Sequence, residues 1–167
     1  LAEQVAALLP ENTLAEAIDS IASIGYGGVE LMADLHHANP ATFDASQRAA
    51  TKKQLASHGL TVSNVNAFTL FCDGDTYHPT WIEDEQALRE KRIKHTIGSI
   101  EIASEFGAKT VSLQPGGPLI GTTMSREEAS QRFADGLNRV LPAARENNII
   151  LAIEPLRVLP PARRARA

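Results

Sequence analysis

Five apolar residues lead into a single carboxylate in the stretch Asn148-Ile149-Ile150-Leu151-Ala152-Ile153-Glu154-Pro155. A run of this length without polar interruption is typical of a parallel strand that is buried on both faces. Parallel α/β folds build their sites where the strands end, so Glu154 is a candidate functional residue. The alternative is a glutamate that ends a strand and meets solvent.

Three further strand segments precede this one, and each of them follows a helical segment. The strands start near residues 28, 60, 109 and 149, and the helices are predicted over about 12–23, 46–58, 85–106 and 125–146. Cap residues support three helix starts: Asn12 or Thr13, Ser46, and Ser125 with Glu128 three residues later. Strands that alternate with helices of this length imply parallel pairing through right-handed crossovers. The predicted fold class is therefore α/β with about four parallel strands.

The predicted domain covers residues 1–155, and the pattern changes after Pro155. Residues 156–167 contain Pro160-Pro161, followed by Arg163, Arg164 and Arg166, but show no periodicity, so we expect a disordered tail there. A basic arm for nucleic acid is the alternative. At the other end, the segment 1–9 has a helical spacing of apolar residues where a first strand would be expected.

Composition restricts the classes of partner. The chain has 167 residues and a net charge of -4, which argues against a general nucleic-acid or membrane-surface binder. No apolar run approaches the roughly 20 residues that span a bilayer. Cys72 is the one cysteine, which fits a reducing compartment, so a cytoplasmic location is expected.

Polar side chains are predicted to gather where the strands end. Because parallel strands place their carboxyl ends on one rim of the sheet, residues from distant parts of the chain meet there. The long loop 71–84 adds further polar and aromatic groups to this rim, as functional loops often do. Such a gathering is typical of a small-molecule site, and its members are Glu30, His37, Asn66, His78, Gln114 and Glu154.

Three segments carry a resemblance to a known superfamily. They are Ile24-Gly25-Tyr26-Gly27-Gly28-Val29-Glu30-Leu31, then Thr110-Val111-Ser112-Leu113-Gln114-Pro115-Gly116, and the stretch at 149–155. In this order and spacing they resemble the xylose-isomerase-like TIM barrels, which include sugar phosphate isomerases and epimerases, inosose dehydratases and endonuclease IV. The resemblance implies a partial (β/α)8 TIM barrel, of which this chain would be the amino-terminal half.

The resemblance also implies a reaction. Glu154 matches the family's first metal-ligand glutamate, which holds Mn²⁺, Mg²⁺, Co²⁺ or Zn²⁺ and in the epimerases also serves as an acid/base carboxylate. The substrate would be a small sugar or sugar phosphate, and a proton would move through an enediolate. Substrate-orienting roles are expected for four residues: His37, Asn66, His78 and Gln114. Each has an ordinary alternative: a solvated loop for His37, an Asx turn for Asn66, loop packing for His78 and a strand end for Gln114.

Two departures from the family pattern affect the interpretation. Nuclease relatives carry histidine where this chain has Gln114, so the isomerase branch is favoured over a DNA-cleaving one. A complete barrel has eight strands, and the strands that would supply the other metal ligands are missing here. We therefore expect an impaired or inactive chain. The alternatives are a non-catalytic half-barrel that associates through exposed sheet edges, with itself or with a partner, and a lyase that dehydrates a cyclitol.

Overall fold

A computed structural model describes residues 12–35, 37–69, 78–115 and 123–154. Helices and strands alternate along these ranges, as predicted. The order is α1 (Leu14–Ile24), β1 (Gly28–Met32), α2 (Ala45–His58), β2 (Thr61–Asn66), α3 (Gln86–Glu105), β3 (Thr110–Leu113), α4 (Arg126–Glu146) and β4 (Ile150–Ile153). The segment 1–9 and the tail 156–167 lie outside the described residues, so the domain limits stay a prediction. His36, which precedes His37, also lies outside them.

The four strands form one parallel sheet in the order β1-β2-β3-β4. Each strand returns to the sheet through a helix, so the arrangement is that of an open part of a (β/α)8 barrel. This confirms the predicted fold class. Among the described residues, none of the helices has the length and apolar character needed to cross a membrane.

Helix starts follow the local sequence, with one correction. The Thr13 side chain accepts from Glu16 N while Glu16 bonds back to Thr13, a complete capping box. The helix predicted to begin at Ser46 is instead capped by Asp44. Asp44 and Gln47 form a reciprocal pair, with Asp44 Oδ1 2.8 Å from Gln47 N.

The core lies between one face of the sheet and the helices. Val29, Leu31, Val65, Val111 and Leu113 are at most 1% exposed, and they belong to one cluster with buried residues of all four helices. Because strand side chains alternate, the residues between these positions face the other side of the sheet. That opposite face is called the concave face below, after its position inside a barrel.

A β-bulge sets the faces of β2. Val29 pairs with Val62, but Glu30 pairs with Asn64, so Ser63 is an extra residue with no counterpart in β1. The Ser63 hydroxyl donates to Val29 O at 3.1 Å. The bulge allows Val62 and Val65, which are an odd number of residues apart, to be buried together.

Strand β4 is exposed, which corrects the prediction of a strand buried on both faces. Ile150 is 65% exposed and Ile153 is 48% exposed. The reason is position: β4 is the edge of the sheet, paired only with β3 within the described part of the chain. Such an apolar run is typical of a strand that has a paired strand on each edge and packed layers on both faces. Among the described residues, β3 is the one strand paired with β4.

Candidate functional site

The concave face carries polar side chains at alternate positions of three strands. Glu30 of β1 stands opposite Asn64 of β2, and Asn66 stands opposite Ser112 of β3. Asn64, Asn66 and Ser112 are 4–6% exposed, so these groups are largely shielded from solvent. Buried polar groups require hydrogen-bond partners, and here they find one another across the strands.

Glu30 lies at the centre of this polar network. Its Oε2 accepts from Asn64 Nδ2 at 2.6 Å and its Oε1 accepts from Asn66 Nδ2 at 3.3 Å. Asn64 Nδ2 also donates to Ser112 Oγ at 2.9 Å, and Thr110 Oγ1 donates to Asn64 Oδ1 at 2.8 Å. Glu30 was expected on the rim, but it is the middle residue of β1 and lies deeper on the concave face.

Asn66 ends β2 with both ends of its amide engaged. Nδ2 donates to Glu30, and Oδ1 accepts from Phe68 N at 3.1 Å, which is an Asx turn. The turn proposed as the ordinary alternative is therefore present. One Nδ2–H remains for a ligand, so a substrate contact by Asn66 stays a prediction.

Gln114 and Glu154 are brought together at the ends of neighbouring strands. Each follows a residue of the paired positions Leu113 and Ile153, and Glu154 N donates to Leu113 O at 2.9 Å. Gln114 is 8% exposed, whereas Glu154 is exposed. An amide and a carboxylate thus stand side by side at the carboxyl-end rim, where the sequence placed them.

His78 is held by a carboxylate that the sequence analysis did not identify. His78 Nδ1 lies 2.6 Å from Glu83 Oε1, and the same oxygen accepts from Thr80 N at 2.8 Å. The signal in the sequence was Thr80-x-x-Glu83, the pattern of a capping box. No helix begins there, and the pattern instead closes a tight loop around the glutamate.

The loop that carries His78 is attached to the end of β3. Trp81 Nε1 donates to Gln114 O at 3.0 Å, and Arg92 donates to the same oxygen through its NH2 at 2.9 Å. Arg92 is 1% exposed, and its guanidinium carbon lies 5.6 Å from the centre of the Trp81 ring. The loop and the rim residue Gln114 are therefore fixed by the same two buried side chains.

His37 is on the same rim but at its other end. Its Nε2 lies 3.3 Å from Asn12 O, and its backbone N–H donates to Asp34 O at 3.2 Å. The first contact connects the loop after β1 to the residue before the Thr13 cap of α1, and the second closes a turn within the loop. In the sheet order, β2 separates this loop from Gln114, so His37 is not grouped with Gln114 and Glu154. Its substrate role stays a prediction.

A divalent metal would need more donors than this rim offers. Among the described residues, no group of three or more His, Cys, Asp or Glu side chains lies close enough to hold an ion. Glu154 supplies one carboxylate, and the adjacent Gln114 adds a neutral amide oxygen. Catalytic Zn²⁺ takes about three protein ligands, and Mg²⁺ takes one or two carboxylates completed by water and substrate oxygens, so this donor set alone would hold a divalent ion only weakly.

Comparison with solved structures supports the same fold. A D-tagatose 3-epimerase-like protein matches with a TM-score of 0.76 and 14% identity over 92% of this chain and 52% of its own. The apo 3-keto-D-glucoside 4-epimerase from E. coli matches with a TM-score of 0.68 and 18% identity over 93% of this chain and 55% of its own. An AP endonuclease of family 2 from Brucella melitensis matches with a TM-score of 0.64 and 18% identity over 92% of this chain and 54% of its own. The chain spans about half the length of these structures, and at such identities the likeness shows the fold.

Sequence comparison identifies the family. A search of curated proteins gave no match. The family model described as xylose isomerase-like TIM barrel matches residues 18–161, which is most of the chain. The chain therefore belongs to the xylose isomerase-like TIM barrel family.

Proposed function

We propose that this chain forms one wall of the active site of a sugar isomerase or epimerase. The observation that carries the proposal is the pair Gln114 and Glu154 at the carboxyl ends of adjacent parallel strands. In barrels of this kind, chemistry takes place at that rim. Structural neighbours include a D-tagatose 3-epimerase-like protein and a 3-keto-D-glucoside 4-epimerase, which supports a small sugar as the substrate class. A sugar phosphate is proposed as the alternative substrate.

The proposed reaction is a proton transfer beside a carbonyl group. The Glu154 carboxylate takes a proton from the carbon next to the carbonyl, and an enediolate results. Return of the proton from Glu154 to the other carbon gives an isomer, whereas an epimer requires a second acid on the opposite face of the same carbon, which would come from outside the described residues. Gln114 offers an amide N–H to a sugar oxygen at the same rim, while the side chains of Trp81 and Arg92 donate to the backbone oxygen of Gln114 and hold it in place.

Glu154 is also proposed as a metal ligand, as the family resemblance implies. The remaining ligands would come from outside the described residues, because the rim supplies one carboxylate. No step of the reaction above is routed through a metal for that reason. A bound divalent ion would supply polarisation of the sugar carbonyl.

Deuterium exchange tests the role of Glu154. The chain is incubated with D-fructose or D-tagatose in D₂O with Mn²⁺, and deuterium at the carbon next to the carbonyl is followed by NMR. Because the chain is predicted to be impaired, we expect slow exchange in the wild type and a further loss of at least about 100-fold in Glu154→Gln, the usual scale for removing an acid/base group.

The matched control is Glu146→Gln, which removes an exposed carboxylate at the end of α4 and should leave exchange unchanged. Equal exchange rates in Glu154→Gln and the wild type would remove Glu154 from the mechanism. If neither sugar nor its phosphate ester exchanges in the wild type, the chain does not carry out the proposed reaction.

A second candidate is a non-catalytic half-barrel that acts by association. The exposure of Ile150 and Ile153 on the edge strand favours it, since unpaired edges promote pairing with another chain. The predicted oligomer would form through this edge. Dehydration of a cyclitol stays a third possibility. The same exchange experiment tests it when a cyclitol ketone replaces the sugar as the probe.

A further inference from the structure

The segment 78–84, which precedes α3, is fixed on two sides. Trp81 is 1% exposed, binds Gln114 O, and packs edge-on against Phe133 of α4 with ring centres 5.9 Å apart. Arg132 of α4 donates to the backbone oxygens of Ile82 and Glu83 at 3.2 and 3.0 Å. A segment held by α4 and by the end of β3 presents its side chains in a fixed direction, which suits a site residue.

Glu83 faces into this segment and is mostly shielded from solvent. Its side chain is 10% exposed, and Oε1 accepts both Thr80 N and the His78 ring. A carboxylate accepts hydrogen bonds and has no proton to donate, so the proton in the 2.6 Å contact with His78 belongs to Nδ1. In the neutral ring, this leaves a lone pair on Nε2.

The other ring nitrogen of His78 faces a different environment. The side chain is 40% exposed, and within the described ranges Nε2 has no hydrogen-bond partner. The next residue, Pro79, accepts at its oxygen from Arg92 NH1 at 3.5 Å, while Arg92 NH2 binds Gln114 O. Arg92 thus bridges the chain beside His78 and the rim at Gln114, so both site residues share one anchor.

We propose that Glu83 is a positioning residue that fixes the tautomer of His78, so that Nε2 accepts a hydrogen bond from a hydroxyl group of the bound sugar. The inference rests on the proposed function and assigns a distinct part to each residue of its site. Gln114 supplies an N–H donor, and His78 supplies an acceptor. A polyol offers hydroxyl groups that both donate and accept, so it complements this pair.

The tautomer is tested by long-range ¹H–¹⁵N NMR on the full chain with labelled histidine. The His78 signals are assigned with His78→Gln and followed to the alkaline limit of a pH titration, where the ring is neutral. We expect a protonated Nδ1 and an unprotonated Nε2 in the wild type. In Glu83→Gln the neutral amide no longer selects one tautomer, and the signals should shift toward the Nε2–H form.

Asp84→Asn is the matched control, because Asp84 is the neighbouring carboxylate and binds Arg132 instead of a histidine. It should leave the His78 signals unchanged. A wild-type ring with Nε2–H would overturn the proposal, as would an unchanged tautomer in Glu83→Gln. The wild-type spectrum decides the tautomer by itself, so the test survives if Glu83→Gln fails to fold.

The ligand role is tested with D-fructose as the probe, with calorimetry reporting binding independently. On binding, the Nε2 resonance of wild-type His78 should shift, and Glu83→Gln should bind about tenfold more weakly (~1.4 kcal/mol). Bound D-fructose without any change at Nε2 would overturn the sugar contact while the proposed function stands. If D-fructose does not bind but the tautomer is as expected, the positioning by Glu83 holds and the titration is repeated with D-tagatose and the phosphate esters of both sugars. Binding of none of these would count against the proposed function.

Discussion

Glu105, near the end of α3, shows how single charges fasten the helical layer. Its Oε2 binds Arg48 NH1 and its Oε1 binds Lys52 Nζ, both at 2.8 Å and both from α2. The hydrogen bond from Lys52, followed by that from Arg48, lowers the pKa of Glu105 below its ordinary value of 4.5. The ionised form is therefore favoured by the folded state.

This shift predicts a pH dependence of stability. Because the folded pKa is lower than the unfolded one, the stabilisation is fully present above about pH 4.5 and is lost as the pH falls through the folded pKa. Urea unfolding of the wild type and Glu105→Gln should therefore give different midpoints at neutral pH that converge in acid. Glu101→Gln, on an exposed position of the same helix, is the control. A difference that persists unchanged at low pH would contradict this explanation.

At the residue scale, the sequence located the rim but not its supports. The rim positions of Glu154 and Gln114 were predictable because each residue follows directly after an apolar strand. The strand itself determines where such a residue lies. Glu83 was not predicted, since its role depends on a loop closing around it. Likewise, the partners of Glu30 come from the next strand, at a register that a bulge determines.

At the scale of elements, the contact between α4 and the loop at Trp81 is close. A Cβ added to Gly136 would lie 2.8 Å from Cε3 and 3.4 Å from Cζ3 of the Trp81 ring. That ring is 1% exposed and is held through its Nε1 by Gln114 O, so it has little freedom to move away. The glycine lets α4 approach the loop that carries His78.

Gly136→Ala is therefore predicted to destabilise the protein, although alanine favours helices by about 1 kcal/mol over glycine. Overpacking against a fixed ring should outweigh this gain and lower the free energy of unfolding by about 1–3 kcal/mol. Urea unfolding measures the change. Ser130→Ala, at an exposed position of α4, should be neutral or slightly stabilising. An equal gain in both variants would show that the ring moves aside easily.

Element boundaries were predictable where the local sequence determines them. Gly59 and Gly107 follow the ends of α2 and α3, and both have positive φ, at 67° and 76°, the conformation that glycine adopts most readily after a helix. The start of α2 was misplaced at Ser46, although the capping-box rule distinguishes the two candidates. Asp44 has Gln47 three residues later, whereas Ser46 has Ala49, which offers no side chain to close the box.

At the scale of the whole molecule, exposed sheet edges were expected from the number of strands, but the apolar pattern of β4 did not reveal that β4 is one of them. The apolar run predicted burial, but burial depends on neighbours that a strand does not contain. Ile150 and Ile153 are exposed on β4. Among the described residues, no strand pairs with the outer edge of β4. Exposed apolar edge strands promote association.

We therefore predict that the chain associates as its concentration rises. Light scattering over a concentration series should show a growing mass for the wild type and a smaller one for Ile153→Lys, because a charge on an edge strand opposes pairing. Ile24→Lys is the control, since Ile24 is 67% exposed but belongs to α1. A wild-type chain that stays monomeric throughout would exclude the edge as an association surface.

The bulge at Ser63 makes the molecule tolerant of a change in its length. With Ser63 removed, Val62, Asn64, Val65 and Asn66 would alternate regularly and meet Val29, Glu30, Leu31 and Met32 in unbroken register. A codon deletion at Ser63 should therefore leave a folded protein with its polar network, at a cost of about 0.5–1.5 kcal/mol for the bond to Val29 O. Deletion of Val65 instead would place Asn66 toward the helices. Urea denaturation would compare the free energies of unfolding of the two deletion variants and show whether Ser63 is a dispensable residue of the strand. At such a position a codon can be lost while the polar network stays intact.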